Sequence, residues 1–206
     1  KAVARRLEGD PPLALSLSSG IDSTIVAGLA ADHARRHGRK LTAFSVGYDD
    51  APYDESAVAR RTAAHFGLGF ERVRATPEVL LDGLLPGIHS VEVPTNSFST
   101  TALLLLTRAV RRSGLKAVMS GEGSDELFGG YPYFGVEAIW RMLSGDAASR
   151  TAGARAFQAF REVESKSRGM FWDDGDAWKR AKGPFGYASS YAQRIQSVTS
   201  ASRWMF

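Results

Sequence analysis

Residues 13–29 read LALSLSSGIDSTIVAGL and contain the transition that decides the fold. The apolar run at the start is typical of a buried strand, and Ile25, Val26 and Leu29 then recur at helical spacing. Strand and helix meet in a turn of small residues, SSGIDS at 18–23. The stretch therefore predicts a strand, a tight turn and a helix that begins beside that turn.

This turn has two interpretations. Backbone N–H groups and hydroxyls at the positive end of a helix dipole form a site for an anion. The turn lacks the Lys of the G-x-x-x-x-G-K-[ST] phosphate loop, and Asp22 would repel a bare phosphate. A Mg²⁺ ion would remove that repulsion. The alternative is an ordinary polar helix cap, because Ser and Asp favour that position in any helix.

Strand and helix patterns alternate from here to about residue 120. We predict further strands at 41–46, 70–74 and 115–119. Helices are expected after a cap at Asp54, after Thr76 and over 100–112, with an irregular loop between Pro86 and Pro94. The apolar run at 102–106 predicts a buried helix face. This alternation predicts an α/β fold with a doubly wound, mostly parallel sheet.

Beyond residue 135 only helical patterns continue, at 136–143, 151–163 and 187–198. We therefore predict two domains, an α/β domain over 1–135 and a helical extension over 136–206. The chain begins inside a helical pattern and ends on the apolar residues WMF. We expect it to be a piece of a longer protein, with an incomplete extension.

The composition narrows the classes of function. The 206 residues carry a net charge of +4, but the basic residues gather late in predicted helices, which argues against nucleic acid as a partner. No apolar run approaches the roughly 20 residues that span a bilayer. The chain has no Cys, which excludes disulfides, thiolate metal sites and a Cys nucleophile. These features lead us to expect a cytoplasmic protein without a membrane partner.

A second motif, SGEGSDELFGGY, follows the fourth predicted strand at 120–131. Ligands of open parallel sheets bind outside the carboxyl ends of strands, at the point where the winding reverses. If the fourth strand lies beside the first, the two turns face one pocket, and Asp22 and Asp125 share it. Two facing carboxylates repel each other, and a magnesium–triphosphate between them would relieve the repulsion.

The sequence at this point resembles the synthetase domain of the glutamine-dependent asparagine synthetases, in the PP-loop ATP pyrophosphatase group. The resemblance rests on LSSGIDS at 17–23, FSVG at 44–47 with APYDES at 51–56, and VMSGEGSDELFGGY at 118–131. It covers residues 1–135 and assigns to them an ATP-binding synthetase domain. No motif was matched over 136–206.

The resemblance implies that a carboxylate, that of the aspartate side chain or of an analogue, attacks the α-phosphate of ATP. Pyrophosphate leaves, and ammonia then displaces AMP from the acyl adenylate. Glu122 would support formation or consumption of that adenylate, and Asp22 with Asp125 would hold Mg²⁺. The residues implied for ATP and pyrophosphate are Leu17, Ser18, Ser19, Gly20, Asp22, Ser23, Val46, Ser120 and Gly121.

Several features depart from the family pattern. Ser19 stands where Gly is usual, and no Lys after Glu126 matches the family Lys that faces the α-phosphate. The glutaminase that supplies ammonia is absent, so we expect it in another domain or chain. The stretch at 95–101, TNSFSTT, lies where the family helps to hold the amino acid and lacks an Arg found there in some members.

Two rival functions stay open. A PP-loop enzyme that adenylates tRNA would suit the basic pI, although its thiolating members need cysteines. An ATP-holding module that depends on a partner chain would also fit these motifs.

Overall fold

A computed structural model describes residues 1–8, 12–49, 54–92 and 98–166 of the chain. These residues belong to two compact units, Lys1–Glu122 and a second that begins at Gly123. The functional division predicted at residue 135 concerns which residues form an ATP-binding domain, and it stays a prediction. The predicted helix at 187–198 lies outside the described residues.

The first unit alternates strands and helices, as the sequence predicts. Its elements in chain order are α1 (Ala2–Leu7), β1 (Leu13–Ser16), α2 (Ile21–Arg36), β2 (Thr42–Tyr48), α3 (Ser56–Phe66), β3 (Gly69–Ala75), α4 (Pro77–Asp82), α5 (Leu84–Val91), α6 (Ser99–Arg112) and β4 (Ala117–Met119).

The four strands form one parallel sheet in the order β3-β2-β1-β4. Ala14 of β1 pairs with Thr42 of β2 on one side and with Val118 of β4 on the other. The winding runs outward from β1 to β3 and then crosses back to place β4 against the free side of β1. The predicted α/β fold with a doubly wound parallel sheet is confirmed.

Each face of the sheet has its own core. Leu15 and Ala43 pack with Ala residues of α2 and α3 on one face, where α1 adds Leu7. Ala14 and Phe44, the alternate positions of the same strands, pack with Leu106 and Val110 of α6 on the other face. Strand side chains alternate between faces, so these near-continuous apolar strands are buried on both sides.

The regular secondary structure in the described part of the second unit is helical. It contains α7 (Ser124–Phe128), α8 (Pro132–Leu143) and α9 (Ala147–Lys166). Helices α8 and α9 pack closely, because a Cβ at Gly153 would lie 2.9 Å from Met142 Cβ and 3.0 Å from Leu143 N. The predicted helical extension is thus confirmed in its described part.

Three local predictions were wrong. Pro86 lies in α5 rather than at the edge of a loop, because it occupies the first turn, where its missing N–H is not needed. The second proline of that predicted loop, Pro94, lies outside the described residues.

The predicted cap of α3 at Asp54 is also displaced by one residue. Glu55 is the N-cap of α3, and Asp54 accepts a hydrogen bond from the Ser56 N–H at 2.9 Å. Leu103 in the apolar run of α6 is 55% exposed, so only part of that run faces the core.

Helix α6 ends at Arg112, as the sequence predicts, but β4 begins at Ala117, two residues later than the predicted start at 115. The Leu115 N–H donates to the Val110 carbonyl, and Gly114 adopts a left-handed conformation with φ +78°. Leu115 thereby completes the helix end instead of opening the strand. The described helices are all too short or too polar to cross a membrane.

We predict that Phe44→Ala lowers the free energy of unfolding by about 3–5 kcal/mol, because Phe44 is fully buried under α6. Urea denaturation of the full chain measures the loss. Leu81→Ala is the control, since Leu81 is 63% exposed and its truncation should cost about 0.5 kcal/mol or less. Equal losses in the two variants would contradict this account of the core.

Candidate functional site

The turn between β1 and α2 is held by its own serines. The Ser18 and Ser23 hydroxyl oxygens lie 3.0 Å apart, and the Ser18 N–H donates to Ser23 Oγ at 3.2 Å. The Ser23 hydroxyl lies 3.0 Å from the Gly20 carbonyl and can donate to it. Ser23 is buried, whereas Ser18, Ser19 and Gly20 are exposed. The buried serine thus fixes the shape of an accessible loop.

Helix α2 presents its positive end at this turn. Gly20 is the N-cap and supplies no side-chain cap, while its carbonyl accepts from both the N–H and the hydroxyl of Thr24. Asp22 lies in the first helical turn and is partly exposed. Backbone N–H groups and the helix dipole favour an anion here, and the Asp22 carboxylate favours a cation beside it. The turn suits an anion that arrives with a metal ion.

The turn after β4 lies directly against the start of α2. A Cβ on Gly121 would lie 2.8 Å from Ser23 N and 2.9 Å from Asp22 Cβ, distances that atoms in proteins do not tolerate. Ser120 and Glu122 flank this contact and are exposed, and the Glu122 N–H donates to Ser120 Oγ at 3.4 Å. The structure therefore brings 120–122 and 22–23 together within the first unit, as the sequence predicts for strands that are neighbours.

Leu17 directly precedes the β1–α2 turn, and Val46 lies near the end of β2. The Leu17 N–H donates to the Phe44 carbonyl at 2.9 Å, which continues the β1–β2 ladder to the edge of the turn. Its side chain is buried, so only its backbone faces the turn region. Val46 pairs with Val73 of β3, two residues before β2 ends.

A polar cluster that the sequence analysis missed lies at the ends of β2 and β3. The Arg72 guanidinium donates to the Tyr48 carbonyl at 3.1 Å, to Asp54 Oδ2 at 3.0 Å and to Ser56 Oγ at 2.9 Å. A Cβ on Gly47 would lie 2.1 Å from Arg72 Nε, so glycine is needed for this side chain to cross the strand. Arg72 thereby joins the end of β2 to the start of α3.

Ion pairing and hydrogen bonding keep the carboxylates of this cluster ionised. The Ser56 hydroxyl and N–H, together with Arg72, lower the pKa of Asp54 below its ordinary value of 3.8. A hydrogen bond from Arg74 lowers the pKa of Asp49. Burial, with the nearby charge of Glu55, raises the pKa of the Tyr48 phenol. The phenol is therefore neutral and the carboxylates are charged near neutral pH.

Glu55 reaches from this cluster to the β1–α2 turn. Its Oε2 accepts a hydrogen bond from the Ser19 N–H at 3.2 Å, across 36 residues of sequence. Both residues are exposed. Glu55 lies in the APYDES stretch at 51–56, and its contact with Ser19 is not predicted from the sequence.

Asp125 belongs to the second unit, where it lies in α7. A Cβ on Gly130 would lie 2.0 Å from Asp125 Oδ1, so the carboxylate packs over the bare Cα of that glycine. The proposed sharing of one metal by Asp22 and Asp125 stays a prediction.

The hydroxyl-rich stretch at 95–101 is only partly described. Residues 95–97 lie outside the described residues. Thr101 is fully buried, and its hydroxyl donates to the Gly83 carbonyl at 3.4 Å. Thr101 therefore packs α6 against the helices before it and is not available to a substrate.

The residues of the first unit fit a Mg²⁺ ion that comes with a phosphate ligand. Mg²⁺ is held in such sites by one or two carboxylates, with phosphate oxygens and water completing the shell. Asp22 offers one partly exposed carboxylate at the point where the backbone of Gly121 lies against the start of α2. Within 1–8, 12–49, 54–92 and 98–166, no three His, Cys, Asp or Glu side chains form a metal-binding group.

We predict that Ser56→Ala raises the pKa of Asp54 toward 3.8, because it removes the largest cause of the lowering. A depressed folded pKa stabilises the protein above about pH 4, and that contribution is lost as pH falls through the folded value. The variant should therefore lose most stability at neutral pH and less below about pH 4. Urea denaturation across this range, with NMR titration of Asp54, measures both effects.

Thr107→Ala is the matched control for that experiment. Its hydroxyl is exposed and bonds back to the Leu103 and Leu104 carbonyls, with no carboxylate involved. Its stability change should not vary with pH over the same range. A change for Ser56→Ala that is equally independent of pH would contradict the assigned cause.

Comparison with known proteins places the chain in a family. The family model described as asparagine synthase matches residues 1–203. The amidase chyE of Penicillium rubens is 38% identical over 68% of the chain and 22% of its own length. The glutamine-hydrolysing asparagine synthetase 2 of Lotus japonicus is 36% identical over 80% of the chain and 29% of its own length. The chain thus spans less than a third of the length of these relatives.

Among solved structures, the NMN synthetase of Francisella tularensis is 15% identical with a TM-score of 0.42, over 63% of this chain and 53% of that chain. The family model covers nearly the whole sequence, and the identities to curated relatives exceed a third. The chain belongs to the asparagine synthase family.

Proposed function

We propose that the chain is the ATP-binding part of an amide-forming ligase. In this reaction a substrate carboxylate oxygen attacks the α-phosphorus of ATP, and pyrophosphate leaves. Ammonia or an amine then attacks the acyl carbon, and AMP leaves. The protein contributes alignment of the two substrates and neutralisation of the charge that develops on the phosphates.

The contact of Gly121 with Asp22 and Ser23 is the observation that supports this proposal most directly. This contact brings together two of the turns on which the resemblance to asparagine synthetases rests, at the carboxyl ends of the neighbouring strands β1 and β4. We propose that Ser18, Ser19, Gly20, Asp22 and Ser23 bind the pyrophosphate part of ATP. Further backbone and hydroxyl contacts to ATP would come from Leu17, Val46, Ser120 and Gly121.

Asp22 and Asp125 would hold the Mg²⁺ ion. The bound ion would supply positive charge to the departing pyrophosphate. Glu122 follows the residue that contacts the start of α2, and its exposed carboxylate is the proposed catalytic group. There it would accept or deliver a proton as ammonia attacks the acyl adenylate.

We propose a cytoplasmic location for the protein, which the absence of Cys from the sequence supports.

The acceptor carboxylate is proposed to be the side chain of aspartate, with ammonia from a glutaminase domain or chain. Asparagine synthetases that hydrolyse glutamine support this choice, at 35–36% identity. The amidases chyE and chry2 match at 38% and 36% identity and support a different carboxylate as the alternative. Both alternatives begin with adenylation of a carboxylate, so an experiment that compares carboxylates as substrates distinguishes them.

We predict that the full chain catalyses carboxylate-dependent exchange of labelled pyrophosphate into ATP, and that Asp22→Asn lowers this exchange and the affinity for Mg-ATP at least about tenfold. The loss follows from removing a carboxylate that would hold the metal. Asp82→Asn is the control, an equal charge change at the exposed end of α4. A panel with aspartate, other carboxylates and RNA identifies the acceptor. Unchanged exchange in Asp22→Asn would contradict the assignment.

A second prediction separates chemistry from binding. Glu122→Gln should leave the affinity for Mg-ATP within about threefold and lower the rate of amide formation about 100-fold. Gln keeps the size of the side chain and loses its capacity to take up a proton. Equilibrium binding and single-turnover amide formation with added ammonia measure the two quantities. A parallel loss of both would assign Glu122 to ATP binding instead.

A further inference from the structure

On the exposed side of the β1–α2 turn, Ser19 contacts a carboxylate of the protein itself. Glu55 Oε2 accepts the hydrogen bond from the Ser19 N–H at 3.2 Å. On either side of Ser19, the turn is bonded internally: the Gly20 N–H donates to Ser18 Oγ at 3.1 Å, and Ser18 Oγ lies 3.0 Å from Ser23 Oγ. A carboxylate oxygen at this N–H is an acceptor of the same kind as a phosphate oxygen.

Glu55 is held in this position from both sides. Asp54, the preceding residue, is bonded to Arg72, and Ser56, the following residue, is bonded to both Asp54 and Arg72. Arg72 also binds the Tyr48 carbonyl at the end of β2. The peptide that carries Glu55 is therefore anchored to the sheet, while the side chain reaches the turn in solvent.

We propose that Glu55 competes with phosphate oxygens for the Ser19 N–H, and so makes the turn select a phosphate that carries a divalent cation over a bare one. The inference rests on the proposed function, since it assumes that phosphates bind at this turn. A bare pyrophosphate must both displace the carboxylate and remain near its charge. A metal-bound one brings positive charge that offsets the repulsion.

A purely structural role for Glu55 predicts the opposite effect. If the hydrogen bond only braced the turn in a binding-competent shape, its removal would weaken the binding of pyrophosphate. If Glu55 competes, its removal strengthens that binding. The sign of the change in affinity therefore separates the two roles.

The experiment titrates inorganic pyrophosphate into the full chain by calorimetry, with and without Mg²⁺, for wild type, Glu55→Gln and Glu55→Ala. Gln removes the charge and keeps an acceptor for Ser19, whereas Ala removes both. We expect metal-free pyrophosphate to bind about tenfold more tightly to each variant than to wild type. The gain should be smaller with Mg²⁺, so that the metal dependence of binding falls.

Glu71→Gln is the matched control, because its exposed carboxylate accepts from the Ser113 hydroxyl on another part of the same unit. It should leave pyrophosphate affinity unchanged. The amide resonance of Ser19 provides a readout that needs no ligand, and it should shift in Glu55→Ala. Thermal unfolding of each variant verifies that the start of α3 is retained.

Each outcome bears on the inference. Tighter metal-free binding in both Glu55 variants with a shifted Ser19 amide supports it. Equal or weaker binding in the variants, while wild type binds pyrophosphate, overturns the competition and leaves the proposed function intact. Failure of every protein, wild type included, to bind pyrophosphate or Mg-ATP overturns the proposed function and the inference with it.

Discussion

The arrangement depends on one close approach of two backbones, that of Gly121 to the first turn of α2. Strand β4 pairs with β1 across the sheet, and the chain leaving β4 must pass the start of the helix that leaves β1. A side chain at 121 would meet Ser23 N at 2.8 Å and Asp22 Cβ at 2.9 Å, so it would force these segments apart. The same contact fixes the sheet edge and the shape of the site.

Much of the fold follows from local patterns in the sequence. The change from a strand period to a helix period at residues 13–29 specified β1, the turn and α2, and repetition of that change predicted the parallel sheet. Strand order was conditional, because alternation alone does not say on which side of β1 the fourth strand lies. Pro86 was misread as a loop residue because proline has two compatible places, a loop and a first helical turn. In the structure α5 packs closely against Thr101, since a Cβ on Gly87 would lie 3.0 Å from Thr101 Oγ1, and a local sequence pattern does not show that contact.

The candidate site divides in the same way. The segments at 18–23 and 120–122 are contiguous motifs, so they can be recognised in the sequence. Arg72 and Glu55 act through contacts with residues 16 to 36 positions away. Those of Arg72 require β2 and β3 to adopt the register that pairs Ser45 with Arg72. One signal was present, because a glycine inside a strand often marks the close passage of another group. Gly47 is such a residue, and the group that crosses it is the Arg72 side chain.

Burial gives the two halves of the β1–α2 turn different properties. Ser23 is 8% exposed, so breaking its bonds to Ser18 and Gly20 would leave a buried hydroxyl without partners, which costs about 1–3 kcal/mol. Ser19 and Glu55 are exposed, so water can replace either partner with little loss. The part of the turn held by Ser23 therefore keeps its conformation, whereas the exposed Ser19 N–H can exchange one acceptor for another. A turn with this division keeps its shape while the anion at its surface changes.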